Sequence, residues 1–423
     1  MHAPRVWGER LVVTTTRGSL GGGLLAFGAA LACCNAATAQ TAPAGGGGSA
    51  GGGGGDRFVL DARARATYET NVAGGDDLVA ALRRLKQEDT TYTLGATAAF
   101  RLPSTKHSLF LTASADFDRH QKNPILDADN YLVTVGGNTL LGVCDVAGTA
   151  SYSHRLALIQ DLTVPVAKNI VDQEFANASV SCGQRGFFAG LNAGYDKLMN
   201  DANTSTFIDS TTRNVAASLG YQNKNLGSLS LVGTYSKIEY DDPPSTTPVQ
   251  SSGVAQSGIG VNYSRKIGNR LSGNAGVNYT WLEPDGIGDS TSSVGATVAL
   301  AYRATPRMNL ALDYTLGNQA STAADATYVR TSAFRFSGDY RLNTRVSLQA
   351  SVAKSRNDYR GGQALPVLQI RKSDDWTISG GGSVKIGRKV SLTFDASHTD
   401  RKADLSQFNY RSDRVSVGIT GSF

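Results

Sequence analysis

The chain has 423 residues, a formal net charge of +6, 48 glycines, 16 tyrosines and 3 methionines. That mixture suits pleated strands with one apolar and one polar face, and suits long helices poorly. Lysine and arginine alternate with aspartate along the chain without gathering on one element, which excludes nucleic acid as a partner. After the first forty residues no segment approaches roughly 18 consecutive apolar residues, which excludes a helical membrane protein.

Arg5, Arg10 and Arg17 form a basic start, Leu20 to Leu31 a short apolar stretch, and Ala37-Thr38-Ala39 a small-x-small cleavage pattern. Residues 1–39 therefore read as a signal peptide cut before Gln40. The apolar run is too short to span a bilayer. Lipidation at Cys33 is an alternative, but the usual aliphatic residue three before the cysteine is missing. Residues 40–56, with Gly45 to Gly48 and Gly51 to Gly55, are a flexible spacer with nothing to bury. Residues 57–423 make the folded body.

Period-two alternation dominates that body. Leu271, Ala275, Val277, Tyr279 and Trp281 lie on one face of a strand, against Ser272, Asn274, Asn278 and Thr280. Met308, Leu310, Leu312, Tyr314 and Leu316 oppose Asn309, Ala311, Asp313 and Thr315. Val390, Leu392, Phe394 and Ala396 oppose Ser391, Thr393, Asp395 and Ser397. Each strand thus has one apolar face.

A soluble sandwich would alternate in the same way, so the connections decide. Short turns fall at Leu102–Thr105, near Leu141–Val143, and at Gly183–Gly186, Asn223–Gly227, Lys266–Asn269, Thr305–Arg307, Leu342–Thr344 and Gly387–Lys389. Longer polar loops lie between them: Val72–Asp89, Asp118–Asp129, Gln160–Asp172, Asn200–Thr211 and Asp241–Val254, then Glu283–Thr291, Asn318–Tyr328, Arg360–Ser373 and Arg401–Gln407. Short turns alternating with long loops mark a transmembrane antiparallel β-barrel, with the turns periplasmic and the loops outside. The series gives an all-β fold of about 18 strands with both termini periplasmic. A sheet in lipid has to close on itself, because lipid cannot satisfy an open edge. Phe117, Tyr240, Trp281, Tyr359 and Trp376 are expected on the lipid-facing outer rim, and Phe100 and Tyr340 on the inner one.

The last strand places Val415, Val417, Ile419, Gly421 and Phe423 on one face. This resembles the C-terminal assembly signal read by the barrel-insertion machinery, with Gly421 departing from the usual apolar residue. Cys144 opens the fifth strand and Cys182 closes the sixth. A hairpin symmetric about Thr163 sets them opposite each other, so a structural disulfide is expected in the oxidising compartment.

The inward faces carry Asp61, Arg63, Arg65, Arg101, Asp313, Arg335, Asp339, Asp395 and Arg414. These residues read either as a charged constriction or as cross-barrel pairs that solvate and stiffen the lumen. In the longest loop, Leu78-Val79-Ala80-Ala81-Leu82 followed by Arg83 and Arg84 reads as a short amphipathic helix that folds inward or caps the barrel. His107, His120, His154 and His398 lack metal or nucleophile spacing, and no Gly-x-Ser-x-Gly elbow occurs, so no enzymatic activity, metal or cofactor is expected. Asp127-Ala128-Asp129-Asn130 lacks the glycine and terminal glutamate of a calcium loop and reads as a solvated loop.

Tyr68-Glu69-Thr70-Asn71-Val72 ends the first strand and Asp76-Asp77 follows. Phe117-Asp118-Arg119-His120 ends the third strand and Asp129-Asn130-Tyr131 opens the fourth. This resembles the β-barrel porin 2 family, whose first strand ends in an aromatic–acidic–x–Asn–aliphatic motif. Tyr68 and Asn71 match it, and no catalytic role comes with them. The resemblance implies an outer-membrane role in secreting or anchoring an exopolysaccharide. Expected partners are outer-membrane lipid and lipopolysaccharide, the insertion machinery, periplasmic polysaccharide-export proteins and the polysaccharide. A passive porin for small polar solutes is the alternative.

Overall fold

The computed structural model describes residues 57–104, 106–157, 168–201, 209–241, 252–285, 290–320, 328–360 and 371–423. The leader, the Cys33 alternative and the glycine spacer lie outside these residues. The barrel opens with β1 (Phe58–Glu69), β2 (Asp89–Pro103), β3 (His107–His120), β4 (Ala128–Leu141), β5 (Cys144–Leu156) and β6 (Ile170–Gln184). It continues with β7 (Phe187–Asn200), β8 (Ser210–Asn223), β9 (Gly227–Tyr240), β10 (Gly253–Ile267), β11 (Leu271–Asp285) and β12 (Thr291–Thr305). It ends with β13 (Met308–Ala320), β14 (Tyr328–Arg341), β15 (Val346–Arg360), β16 (Lys372–Lys385), β17 (Val390–Ala403) and β18 (Tyr410–Ser422). A short helix, α1 (Asp77–Arg83), lies between β1 and β2.

Each strand pairs antiparallel with its sequence neighbours, from Phe58 opposite Phe100 through to Val390 opposite Gly421. β1 then pairs with β18, from Asp61 opposite Ser422 to Glu69 opposite Arg414. The sheet is therefore a closed 18-stranded transmembrane barrel without a free edge. Leu60 and Phe423 exchange backbone hydrogen bonds of 3.4 and 2.8 Å, which carries the closing ladder one residue beyond β18.

The short turns follow from backbone chemistry. Arg185 (φ 52°) and Gly186 (φ 91°) carry the two positive φ angles that a two-residue hairpin of the I′ type needs. Gly142, at φ 65°, supplies the one positive φ angle of the Gly142-Val143 connection.

Burial alternates along the strands, and the registers fix which face is which. The exposed large apolar residues fall almost wholly on one face, as with Leu94, Leu191, Leu219, Val277, Ile378 and Val417. In water such a surface would be a large unfavourable patch; in a bilayer it is the contact with acyl chains. Tyr92, Phe117, Tyr131, Tyr279, Trp281 and Trp376 ring it at the loop end. Phe58, Phe187, Tyr221, Tyr263, Tyr302 and Tyr340 ring it at the turn end. These are the two aromatic belts of a spanning barrel. Two expected members are elsewhere. Tyr240 lies opposite Ser210, in the inward row of Ser236 and Ile238. Tyr359 lies in the inward row of Asn357 and Ser355 and packs against Val79 and Phe408. Strand parity governs both, and being near a strand end does not override it.

Candidate functional site

Every one of the nine charged residues assigned to the lumen shares the inward row. Asp61, Arg63 and Arg65 lie on β1, opposite Thr97, Gly95 and Thr93. Arg101 extends the β2 row, opposite Phe110. Asp313 faces Arg335 across β13 and β14, with Asp339 further along the same row. Asp395 lies opposite Ser416, and Arg414 opposite Ser397.

They do not form one constellation. Arg63 holds Asp116 through both carboxylate oxygens, with Nε to Oδ1 at 2.7 Å, and donates to Thr97 Oγ1 at 2.8 Å. This bidentate fork reaches from β1 over β2 to β3, which only the concave side of the sheet allows. Gly95 makes it fit, since a Cβ there would collide with the Asp116 carboxylate. Arg65 stands within electrostatic range of Asp395, Arg414 and Arg63. Asp395 accepts from Gln349 Nε2 at 3.2 Å and from Ser416 Oγ at 3.5 Å. Asp61 accepts from Ser422 Oγ at 2.5 Å, away from that group. Arg101 and Asp339 stay near the turn-side mouth. Asp116 and the Asp375–Arg401 pair, 3.3 Å apart, belong to the charged wall and were absent from the sequence expectation. Their strand parity was the available signal.

The opposite arc, β6 to β12, is almost free of charge at mid-height. Asn177 and Asn192 exchange amide hydrogen bonds of 3.1 and 3.0 Å. Asn214 lies flat on Gly194, and Asn278 on Gly295, where a Cβ would stand 2.6 and 2.5 Å from the amide oxygen. Ser218, Thr234, Gln256, Asn262 and Thr297 complete a wall of hydroxyls and amides. Phe110, Phe175 and Phe188 occupy inward positions on β3, β6 and β7. The lumen thus has one charged side and one neutral side that both donates and accepts hydrogen bonds.

α1 seats at the loop-side mouth, in a cluster with the inward-row residues Tyr359 and Ala403. Asp76 caps its start, Oδ1 accepting from Val79 N at 3.0 Å, and Arg84 ends it in the left-handed region at φ 55°. Asn71 shapes the approach by accepting from Gly74 N at 3.0 Å and donating to Gly75 O at 2.9 Å. One side of the helix seats Ala80 against Ala73, Leu85 and Leu126, with Leu156 alongside. Val79 seats on Phe408, with Tyr359, Ala403 and Leu405 around it. The two clusters join α1 to the loops after β3 and β17, and residues of β5 and β15 pack on their edges. Asp89 pins the α1 loop by accepting from Lys122 N at 2.8 Å and from Asn123 N at 3.1 Å. On the outer side, Tyr68 donates to Glu88 at 2.8 Å and Lys122 closes on the same carboxylate.

Beneath the helix lies a costly arrangement. Arg83 and Arg401 are 2% and 4% exposed; Arg83 Nη2 has no hydrogen-bond partner, and Arg401 Nε keeps its 3.3 Å ion pair with Asp375. Burial, followed by the nearby Arg401 charge, pushes the Arg83 guanidinium down to about 10.

Cys144 and Cys182 stand opposite each other on β5 and β6 and are joined by a disulfide, S–S 2.09 Å, at the turn-side end of the outward face. Val415, Val417 and Ile419 occupy the outward row of β18, and Phe423, just beyond the strand, is 68% exposed. Asp127 and Asp129 accept from His120 N and Arg119 at 2.7 and 2.8 Å. Among the described residues no cluster of histidine, cysteine or carboxylate could hold a metal ion.

No family profile matches the chain, and neither does any curated protein. Among solved structures, it is similar to a ferric enterobactin receptor, PfeA, of Pseudomonas aeruginosa, at 9% identity and a TM-score of 0.47 over 87% of this chain and 81% of that one. A similar likeness holds for the siderophore receptor PirA of Acinetobacter baumannii, at 8% identity and a TM-score of 0.48 over 87% and 81%. The FrpB iron transporter of Neisseria meningitidis matches at 9% identity and a TM-score of 0.45, over 82% of this chain and 62% of that one. The fold class rests on the barrel's own closed ladder and lipid-type outer surface.

Proposed function

We propose that the chain is an outer-membrane channel of a Gram-negative bacterium and takes part in secreting an exopolysaccharide. The observation that carries this reading is the divided lumen. Its neutral arc offers amides and hydroxyls in register, the groups that exchange hydrogen bonds with sugar hydroxyls while binding none of them tightly. Inward aromatics such as Phe110 and Phe175 add faces on which sugar rings stack. The resemblance of Tyr68-Glu69-Thr70-Asn71-Val72 to the β-barrel porin 2 family points the same way. In this chain both matching residues serve the α1 loop: Asn71 shapes the backbone leading into α1, and Tyr68 holds Glu88. Deleting the gene and measuring surface polysaccharide tests the reading. Loss or strong reduction of the polymer is expected, and unchanged output defeats it.

A passive porin for small polar solutes is the second reading, favoured by the salt-bridged charged wall around Arg63 and Asp116. It predicts steady conductance in planar bilayers and solute uptake that fails on deletion while polysaccharide output stays unchanged.

A further inference from the structure

In the linear sequence the basic residues look dispersed, and the fold gathers them. Seven of the eight short turns carry a lysine or arginine, and none carries an aspartate or glutamate. Five more cations point inward at the same end by strand register: Arg101, Lys266, Arg303, Arg341 and Lys385. Few acids accompany them at this level: Asp145 beside Cys144, Asp61 and Asp339. No ion pair among the described residues engages any of these cations. At the opposite end the acids Glu88, Asp129, Asp172, Glu239, Asp374 and Asp413 are each paired with a cation or histidine. Among the described residues the barrel therefore carries unpaired positive charge at its turn-side mouth, while these acids at its loop-side rim are compensated.

We infer that the turn-side mouth is an electrostatic funnel for a polyanion, and that the transported polymer is an acidic polysaccharide bearing carboxylates. This rests on the export reading and narrows its substrate class. A ring of cations around a low-dielectric opening focuses the potential into the lumen, raising the local concentration of an anionic chain and threading it end-first. A neutral glycan would gain nothing from the ring. Anionic lipid of the facing leaflet is the competing occupant for the outward-pointing cations, such as Arg265. It cannot reach the five inward ones, which face the lumen. The polymer commits each carboxylate to the ring only briefly, because arginine and lysine at the mouth remain hydrated and exchange partners. Beyond the ring, the Arg63, Arg65 and Arg414 guanidiniums continue the positive track along β1 and β18, interrupted by Asp116 and Asp395.

The test is binding of fluorescent oligogalacturonate, with maltodextrin of equal length as the neutral control, to the whole detergent-solubilised chain. Anisotropy is read against salt. Oligogalacturonate is expected to bind at least about ten-fold tighter than maltodextrin at low salt, with the advantage collapsing near 1 M KCl. The combined variant Arg101→Gln, Lys266→Gln, Arg303→Gln, Arg341→Gln and Lys385→Gln is expected to lose that advantage. If it fails to fold, Arg101→Gln and Arg341→Gln tested singly are each expected to lower affinity about two- to three-fold. Equal affinity for the two oligomers, or an advantage unchanged in the variants, overturns the inference. Weakened binding to cardiolipin vesicles with oligogalacturonate binding intact would make the ring a lipid anchor and likewise overturn it. The two readings fail separately. A strain that needs this gene to secrete a neutral polymer defeats the funnel and keeps the export role. Charge-dependent binding with polysaccharide unaffected by deletion does the reverse.

Discussion

Truncating Phe408 to alanine tests whether α1 is a movable cover. Phe408 is 6% exposed and is the residue on which Val79 seats, outside the barrel wall. Removing a buried phenylalanine side chain costs about 3–5 kcal/mol in a rigid core. Here the seat is partly loop and can relax, so the lower end applies, about 3 kcal/mol. The Arg83–Arg401 repulsion already opposes closure, and the seat of Ala80 on Ala73, Leu85 and Leu126 is left as the remaining apolar contact of the helix. A change of that size multiplies the open-to-closed ratio by about 140. Single-channel recording in planar bilayers should show the variant dwelling in a high-conductance state that the wild-type chain visits rarely. Heat-modified mobility on gels should stay the same, because the eighteen-stranded ladder is untouched. Unchanged dwell times with an intact barrel would refute the cover. A lowered unfolding temperature would show instead that the loops help to hold the wall.

Replacing Cys144 and Cys182 with serine removes a cross-link spanning 38 residues and should cost about 4 kcal/mol of stability, read as a lower unfolding temperature that reductant no longer changes. For the Arg63–Asp116 fork, with side chains 30% and 28% exposed, a double-mutant cycle with alanine should give a coupling of about 1–2 kcal/mol; additive single effects would show that lumen water screens the pair fully. The Glu88 carboxyl is held below the usual range, first by the hydrogen bond from Lys122 and then by that from Tyr68. A depressed carboxyl favours the fold above its unfolded pKa and loses that contribution as pH falls through the folded value, so the link between the first two loops should release only in acid below the normal glutamate range. The Glu88 carboxyl carbon resonance should therefore titrate below the free glutamate range, and Lys122→Ala should move it back toward that range; an unmoved titration would refute the link.

The strand count was legible because alternation and turn length speak together. Met308 to Leu316 and its neighbours carry a face, and the spacing of connections carries the topology. The inward row was legible too, since Asp313 and Arg335 differ in parity from the leucines and phenylalanines beside them. Tyr240 was not, because β9 carries Val232 and Ile238 on the inward face as well, and its polar–apolar contrast is weak. The cationic mouth was hidden for another reason. Successive turns at one end recur only every second strand, so Lys106, Lys224 and Arg307 are far apart in sequence and share one rim only once the circle is closed. A linear search for basic clusters cannot find such a ring. The seating of Val79 on Phe408 was equally silent, since it joins the first loop to the last.

The seam between β1 and β18 also sets the order of assembly. Every other ladder joins chain neighbours, as where Tyr279 meets Ser292 only 13 residues away, whereas Ser422 and Asp61 are 361 apart. Loop-closure entropy grows with the logarithm of that span, so zipping the seam costs about 3 kcal/mol more than a local hairpin. The seventeen hairpin pairings can propagate as a curling sheet with two unsatisfied edges, and the last contact is the one of highest contact order. Until it forms, those edges can pair with another chain or with a template strand, and the seam is where an assembly factor would hold the sheet open and then let go.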